Sequence, residues 1–260
     1  MVVSGAQQGP ASAARPPAAG APRTVLWHDL ECGCYTADLP LWQDLAGAAG
    51  PGPILDVGAG TGRVALALAR AGHRVGALDR DAGLLGALRE RATGLPVETI
   101  CADARSFECE RRDFALCIAP MQTVQLLGGS AGRLAFLARA RAHLRPGGVL
   151  ACAIITEFDT FDCWGGDPQP VPETVRIGQV TYSSHPLRVR ADAQRVAIER
   201  ERRLTVVGQT LSEPNVVELD LLSVAQLERE GAQVGLRCAP ARSLAATADH
   251  VGSEVVVLRA

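Results

Sequence analysis

The chain has no lysine: every basic side chain apart from histidine is arginine, so Schiff-base chemistry on a lysine is excluded. GC-rich coding accounts for that bias without any functional cause. Aromatic residues are scarce, at 4% of 260 residues, yet two of the three tryptophans and one of the two tyrosines fall between residues 24 and 49. No apolar run reaches the length of a membrane-spanning helix. No C-x-x-C pair occurs among Cys32, Cys34, Cys101, Cys109, Cys117, Cys152, Cys163 and Cys238. That scatter reads as reduced, buried thiols in a cytoplasmic protein. His28, Cys32 and Cys34 are close in sequence, but their spacing matches no zinc module, so no metal is expected. A net charge of −2 gives no attraction to nucleic acid or to an anionic membrane. Residues 1–23 carry no acid and no secretory apolar core, and read as a disordered tail.

What is present is organised around Ile54-Leu55-Asp56-Val57-Gly58-Ala59-Gly60-Thr61-Gly62. An apolar run ends in an acid, breaks into three alternating glycines, and resumes with helical periodicity over Arg63–Arg70. This is strand, tight turn and helix. The glycines suit positive φ and a close approach of backbone to ligand. The turn also aims free helix N–H groups at the space beside the strand end. Arg63 follows Gly62, so the dinucleotide pattern G-x-G-x-x-G is not met.

Further αβ units follow. Strands are expected at Arg74–Asp79, Val97–Cys101, Phe114–Ala119 and Val149–Ile155, with helices over Ala82–Arg91 and Ala131–Leu144, Asp81 capping the first of these. Gly72 closes the first helix as its C′ residue. Alternating strands and helices predict a doubly wound, Rossmann-like, mostly parallel α/β sheet, whose ligands bind beyond the carboxyl ends of the strands. Asp56, Asp79, Asp103 and Pro120 all fall at such ends. Residues 24–50 form either a helical lid over the turn or a helix packed on the sheet, and one segment can do both.

After Glu157 the pattern changes. Thr174–His185, Arg188–Ile198 and Leu204–Leu211 read as antiparallel strands, so 157–212 is expected to be a small antiparallel sheet inserted over the site. Residues 213–260 then complete a seven-stranded sheet. Ser223 caps a helix that ends at Gly231, and Val234–Cys238 with Glu254–Leu258 makes a hairpin. The core is 51–156.

The ordered set Asp56-Val57-Gly58-Ala59-Gly60-Thr61-Gly62, Leu78-Asp79, Ala102-Asp103-Ala104 and Leu144-Arg145-Pro146-Gly147-Gly148 resembles the class I S-adenosylmethionine-dependent methyltransferases. The likeness spans about residues 35–155 and is greatest to the small-molecule branch containing glycine and amino-sugar N-methyltransferases. It implies S-adenosylmethionine as cofactor, with Asp56 holding the methionine ammonium. Gly58, Ala59, Gly60 and Gly62 would underlie the carboxypropyl and ribose groups. Asp79 and Arg80 would face the ribose hydroxyls, Asp103 and Ala104 the adenine, and Pro120 and Met121 the far wall. Gln122 and Trp164 would line an acceptor pocket. Relatives often read Phe-Asn-Ser-Leu-Gln-His-Leu where this chain reads Met121-Gln122-Thr123-Val124-Gln125-Leu126-Leu127, so the family's histidine is Leu126 here.

The implied reaction is displacement at a sulfonium methyl by a nitrogen or oxygen of a small molecule. A base is needed only if the acceptor arrives protonated. Tyr35 and His185 are the expected catalytic side chains, Tyr35 also contacting substrate, with His28 a further candidate base. A monomer or homodimer is expected. The competing readings are a non-catalytic S-adenosylmethionine-binding scaffold or regulator, and a nicotinamide-dependent oxidoreductase.

Overall fold

The computed structural model describes residues 22–247 and 250–260, so the tail read over 1–23 lies almost wholly outside the described residues. Two helices come first, α1 (Arg23–Cys32) and α2 (Leu39–Ala48). The αβ core follows as β1 (Ile54–Val57), α3 (Arg63–Arg70), β2 (Val75–Asp79), α4 (Ala82–Arg91), β3 (Val97–Cys101), β4 (Phe114–Ala119), α5 (Gly129–His143) and β5 (Leu144–Ile154). Next come β6 (Phe161–Asp162), β7 (Glu173–Ile177), β8 (Val180–Ala191), β9 (Arg195–Val206) and β10 (Gln209–Asp220). The chain closes with α6 (Val224–Gln233), β11 (Arg237–Leu244) and β12 (Ser253–Arg259).

Seven strands form one sheet in the order β11-β12-β5-β4-β1-β2-β3. From β5 to β3 the pairs are parallel, while β12 runs antiparallel to both β5 and β11. The continuous apolar reading of β1 has its cause here. Ile54 faces the layer of α2, α3 and α4 with Trp42, Leu68 and Leu85, whereas Leu55 faces the layer of α5 and α6 with Phe136, Leu137 and Leu227. A central parallel strand is covered on both sides, so alternation disappears. Phe136 is wholly buried, and truncating it to alanine costs about 3–5 kcal/mol. Of the eight free cysteines only Cys117 and Cys152 are buried, so the expectation of buried thiols fails for Cys34, Cys101 and Cys238, which are exposed.

Several boundaries move for local reasons. The fifth strand begins at Leu144, five residues early, because Pro146-Gly147-Gly148 is carried through as a register shift against β4 and not as a turn before the strand. Gly231 lies inside α6, not at its end: a Cβ there would press on Leu258, so the residue is small for packing. Gly235, at φ +81°, makes the left-handed exit instead.

The second sheet is antiparallel in the order β10-β9-β8-β6, with β7 also pairing to β8. The single strand expected over 174–185 is broken at Gly178 (φ +61°), and the break expected before Leu204 lies at Val207 and Gly208, both at positive φ. The sheet also continues past residue 212: all of β10 pairs with β9, ending at Asp220 opposite Arg195.

Buried polar side chains lock this sheet to the core. The amide of Gln125 donates to the carbonyls of Ile155 and Asp220 and accepts from the Ile155 N–H. Arg133 of α5, 2% exposed, donates to Asp220 at 2.8 Å and to both oxygens of Glu230. Helix α1 fills the gap between the two sheets. Its Glu31 takes Arg202 in a two-point contact and a 2.9 Å hydrogen bond from Ser184, while Trp27 meets the edge of Tyr182.

Candidate functional site

The site is built on the turn after β1. Gly58 and Ala59 donate to the Leu78 carbonyl at 2.8 and 3.0 Å, which sets the tip of β1 beside that of β2. Gly58, Gly60 and Gly62 have φ of +74°, +54° and +95°, a region that side chains resist. The space above each glycine is already taken by protein. A Cβ at Gly58 would lie 2.6 Å from the Thr123 hydroxyl, one at Gly60 would overlap the His28 ring, and one at Gly62 would overlap Leu88. Gly58 and Ala59, two of the expected residues, line the adjoining cavity, and Gly60 and Gly62 lie next to it under His28 and Leu88.

That cavity has a volume of about 410 Å³ and lies across the carboxyl ends of β1, β2, β3 and β4. Asp56, Asp79, Arg80, Asp103, Ala104, Pro120, Met121 and Gln122 all reach it, as the sequence led us to expect. A larger open hollow of about 1010 Å³ lies at the opposite ends of the strands, around Arg74, Glu98 and Phe114. It has no glycine turn, and ligands of such sheets bind at the carboxyl ends.

The three acids of the cavity differ in state. Asp56 is 1% exposed, and neither of its oxygens has a hydrogen-bond partner. Burial pushes its carboxyl up to about 7, against the pull of Arg63 and of the Ala65 N–H, which falls short of hydrogen-bond geometry. Asp79 accepts from the N–H of Gly60 at 2.8 Å and of Asp81 at 2.9 Å, which holds its carboxylate at the mouth. Asp103 is gripped by the side chain and N–H of Arg105, which hold its carboxyl down to about 2. On the opposite wall Met121 sits at φ +54°, a conformation that costs a non-glycine residue about 1–3 kcal/mol and is found where a side chain must be aimed at a ligand.

Three expected residues are not brought to the cavity wall. Tyr35 stacks on His250 at 4.7 Å and lies beneath the Arg63 guanidinium. His185 bonds Ser183 at 2.9 Å on the second sheet. Trp164 is 62% exposed and stacks with Arg188. Register explains the last two: β6 and β8 pair with each other, so the residues around them belong to the sheet. Sequence reasoning left out Arg105, which lines the cavity, and named His28, Cys32, Arg63, Thr123, Leu126 and Leu127, which also line it, for other reasons. Arg63 was legible as the residue replacing a glycine. Its guanidinium donates to both oxygens of buried Asp38 and to the Tyr35 carbonyl, tying α2 to the glycine turn. Among the described residues no group of His, Cys, Asp and Glu could hold a metal ion, and no helix is long and apolar enough to cross a membrane.

Comparison with known proteins agrees with this geometry. Residues 54–148 match the family described as methyltransferase domain. The cypemycin N-terminal methyltransferase of a Streptomyces species is 32% identical over 120 residues, covering 45% of this chain and 47% of that protein. The chain thus spans about half the length of the curated relatives it matches. The sugar N-methyltransferase KedS8 of a Streptoalloteichus species superposes with a TM-score of 0.69 at 17% identity, over 98% of this chain and 100% of that one. CalS10, an amino pentose methyltransferase of Micromonospora echinaspora, superposes with a TM-score of 0.63 at 21% identity, over 84% and 92%. At these identities the superpositions speak for the fold. The glycine turn and the acids on successive strand tips lie inside the stretch, residues 54–148, that matches the methyltransferase domain family.

Proposed function

We propose that the chain transfers a methyl group from S-adenosylmethionine to a nitrogen of a small molecule. The carrying observation is Asp56, a buried carboxyl with no partner that faces the cavity behind the glycine turn. A buried acid left unsatisfied costs stability unless a ligand completes it, and a ligand ammonium does so. Asp79 offers a carboxylate to ribose hydroxyls, the Asp103-Ala104 pair fits an adenine edge, and Pro120, Met121 and Gln122 border the acceptor side.

Bound there, the cofactor supplies an activated sulfonium methyl. The chain's own part is to orient, to exclude water and to align the acceptor, and alignment alone accounts for a large share of such rate enhancements. An amine that enters neutral needs no base, which agrees with Tyr35 and His185 lying away from the cavity. Nitrogen is favoured over oxygen because KedS8 is named a sugar N-methyltransferase and the cypemycin enzyme an N-terminal methyltransferase. Cytoplasmic action as a monomer or homodimer, without nucleic acid or membrane, completes the reading, on the near-neutral charge and eight free cysteines.

Calorimetric titration with S-adenosylhomocysteine tests the pocket, and saturable heat with it but none with NAD is expected. Transfer of label from S-adenosylmethionine to amine-bearing metabolites tests turnover. Tight cofactor binding with no transfer to any extract would make the chain a regulator, and NAD binding would make it an oxidoreductase.

A further inference from the structure

Helix α1 delivers one side chain that the glycine turn is shaped to receive. His28 lines the cavity and occupies the space where a Cβ at Gly60 would stand. Its Nδ1 lies 3.3 Å from the Thr61 hydroxyl. That hydroxyl has a single proton, and it is committed: Thr61 Oγ1 donates at 2.7 Å to Asp29, whose carboxylate also takes a two-point contact from Arg91. The Thr61 oxygen can only accept from the imidazole, so Nδ1 carries the ring proton. In the neutral ring Nε2 is then an acceptor with a free lone pair. Burial keeps the ring neutral by lowering its affinity for a proton, against the opposing charges of Asp29, Asp79 and Glu31 and together with Arg91.

Gly60, beneath the ring, donates its N–H to Asp79. The imidazole therefore stands beside the carboxylate at the tip of β2. Two acceptors side by side, a carboxylate and an imidazole nitrogen, call for a ligand group with two donors. Vicinal hydroxyls have that pattern.

We infer that His28 is a cofactor-positioning residue, its Nε2 accepting a hydrogen bond from one ribose hydroxyl while Asp79 accepts from the other. This rests on the reading of the cavity as the S-adenosylmethionine site, and it removes His28 from the candidate bases. Nothing in the glycine motif itself announces the role, because the histidine comes from a helix more than thirty residues upstream.

The test is calorimetry with S-adenosylhomocysteine and its 2′-deoxy and 3′-deoxy analogues on the wild type, His28→Ala and His28→Gln. The wild type should bind both analogues more weakly than the parent. His28→Ala should bind the parent roughly five- to tenfold more weakly, the effect of losing one neutral hydrogen bond, and should no longer distinguish it from one of the two analogues. His28→Gln, whose amide oxygen can accept, should stay within about threefold of wild type. An alanine variant within twofold of wild type, or one that still penalises both analogues as the wild type does, overturns the inference, and so does a glutamine variant as weak as alanine. Absence of binding to the wild type overturns instead the assignment of the cavity, and the role of His28 with it.

Discussion

The two ends of the cavity hold the same chemical group in opposite conditions. At the glycine-turn end Asp56 is buried, unpartnered and pushed up to about 7. At the other end Asp103 is open to solvent, bonded by Arg105 and held down to about 2. In the sequence both are acids at strand ends. The difference comes from what packs around them: β1 is an interior strand, covered by helices on both faces, whereas β3 is the edge of the sheet. A carboxyl at the centre is desolvated and lacks a partner, while one at the edge is already satisfied.

Between them stands Asp79, and removing it should give the largest effect. Asp79→Ala takes away a charged acceptor for the ribose and the anchor of the Gly60 N–H. The charge-assisted hydrogen bond to the ribose contributes about 1.5–3 kcal/mol, so affinity for S-adenosylhomocysteine should fall by roughly 10- to 10²-fold in calorimetry. A loss under threefold would remove the central acid from the comparison.

The buried end should reveal itself through pH. Only ionised Asp56 attracts an ammonium, so affinity should rise by about tenfold from pH 6 to pH 8, and Asp56→Asn should flatten that rise. The ligand-free protein should show the opposite slope. A folded-state carboxyl raised above its unfolded value of 3.8 stabilises the protein fully below that value, and the contribution is lost as pH rises through about 7. The melting temperature should therefore drop between pH 6 and pH 8, by less in Asp56→Asn. Identical pH profiles for the two proteins would mean that Asp56 is already ionised.

The smallest effect is expected at the exposed end. Asp103→Asn keeps an acceptor and loses only a solvated ion pair, so affinity should change by less than about fivefold. A larger loss there would erase the contrast between the ends.

What was legible in the chain follows the same contrast. The β1 turn, the strand-tip acids and the Asp81 cap could be read because each depends on residues adjacent in sequence. The Pro146-Gly147-Gly148 segment and Gly231 were misread because their glycines answer to distant partners, β4 in one case and Leu258 in the other. The second sheet was legible as antiparallel, but its register was not. Alternating arginines mark the two faces of a strand, and only the hairpin turns at Gly178 and Gly208 decide which residues face each other. His185 and Trp164, expected at the site, lie instead against Ser183 and Arg188 of β8. His28 was named without its role, since an imidazole lying over a glycine thirty-two positions away leaves no mark in local pattern.

Helix α1 touches the glycine turn through His28 and Asp29 and grips the antiparallel sheet through Trp27 and Glu31 within the same turn of helix. A crossbeam so short cannot shift at one end and stay fixed at the other. A displacement of the glycine turn is therefore passed through α1 to the second sheet, and one of the sheet is passed back to the turn.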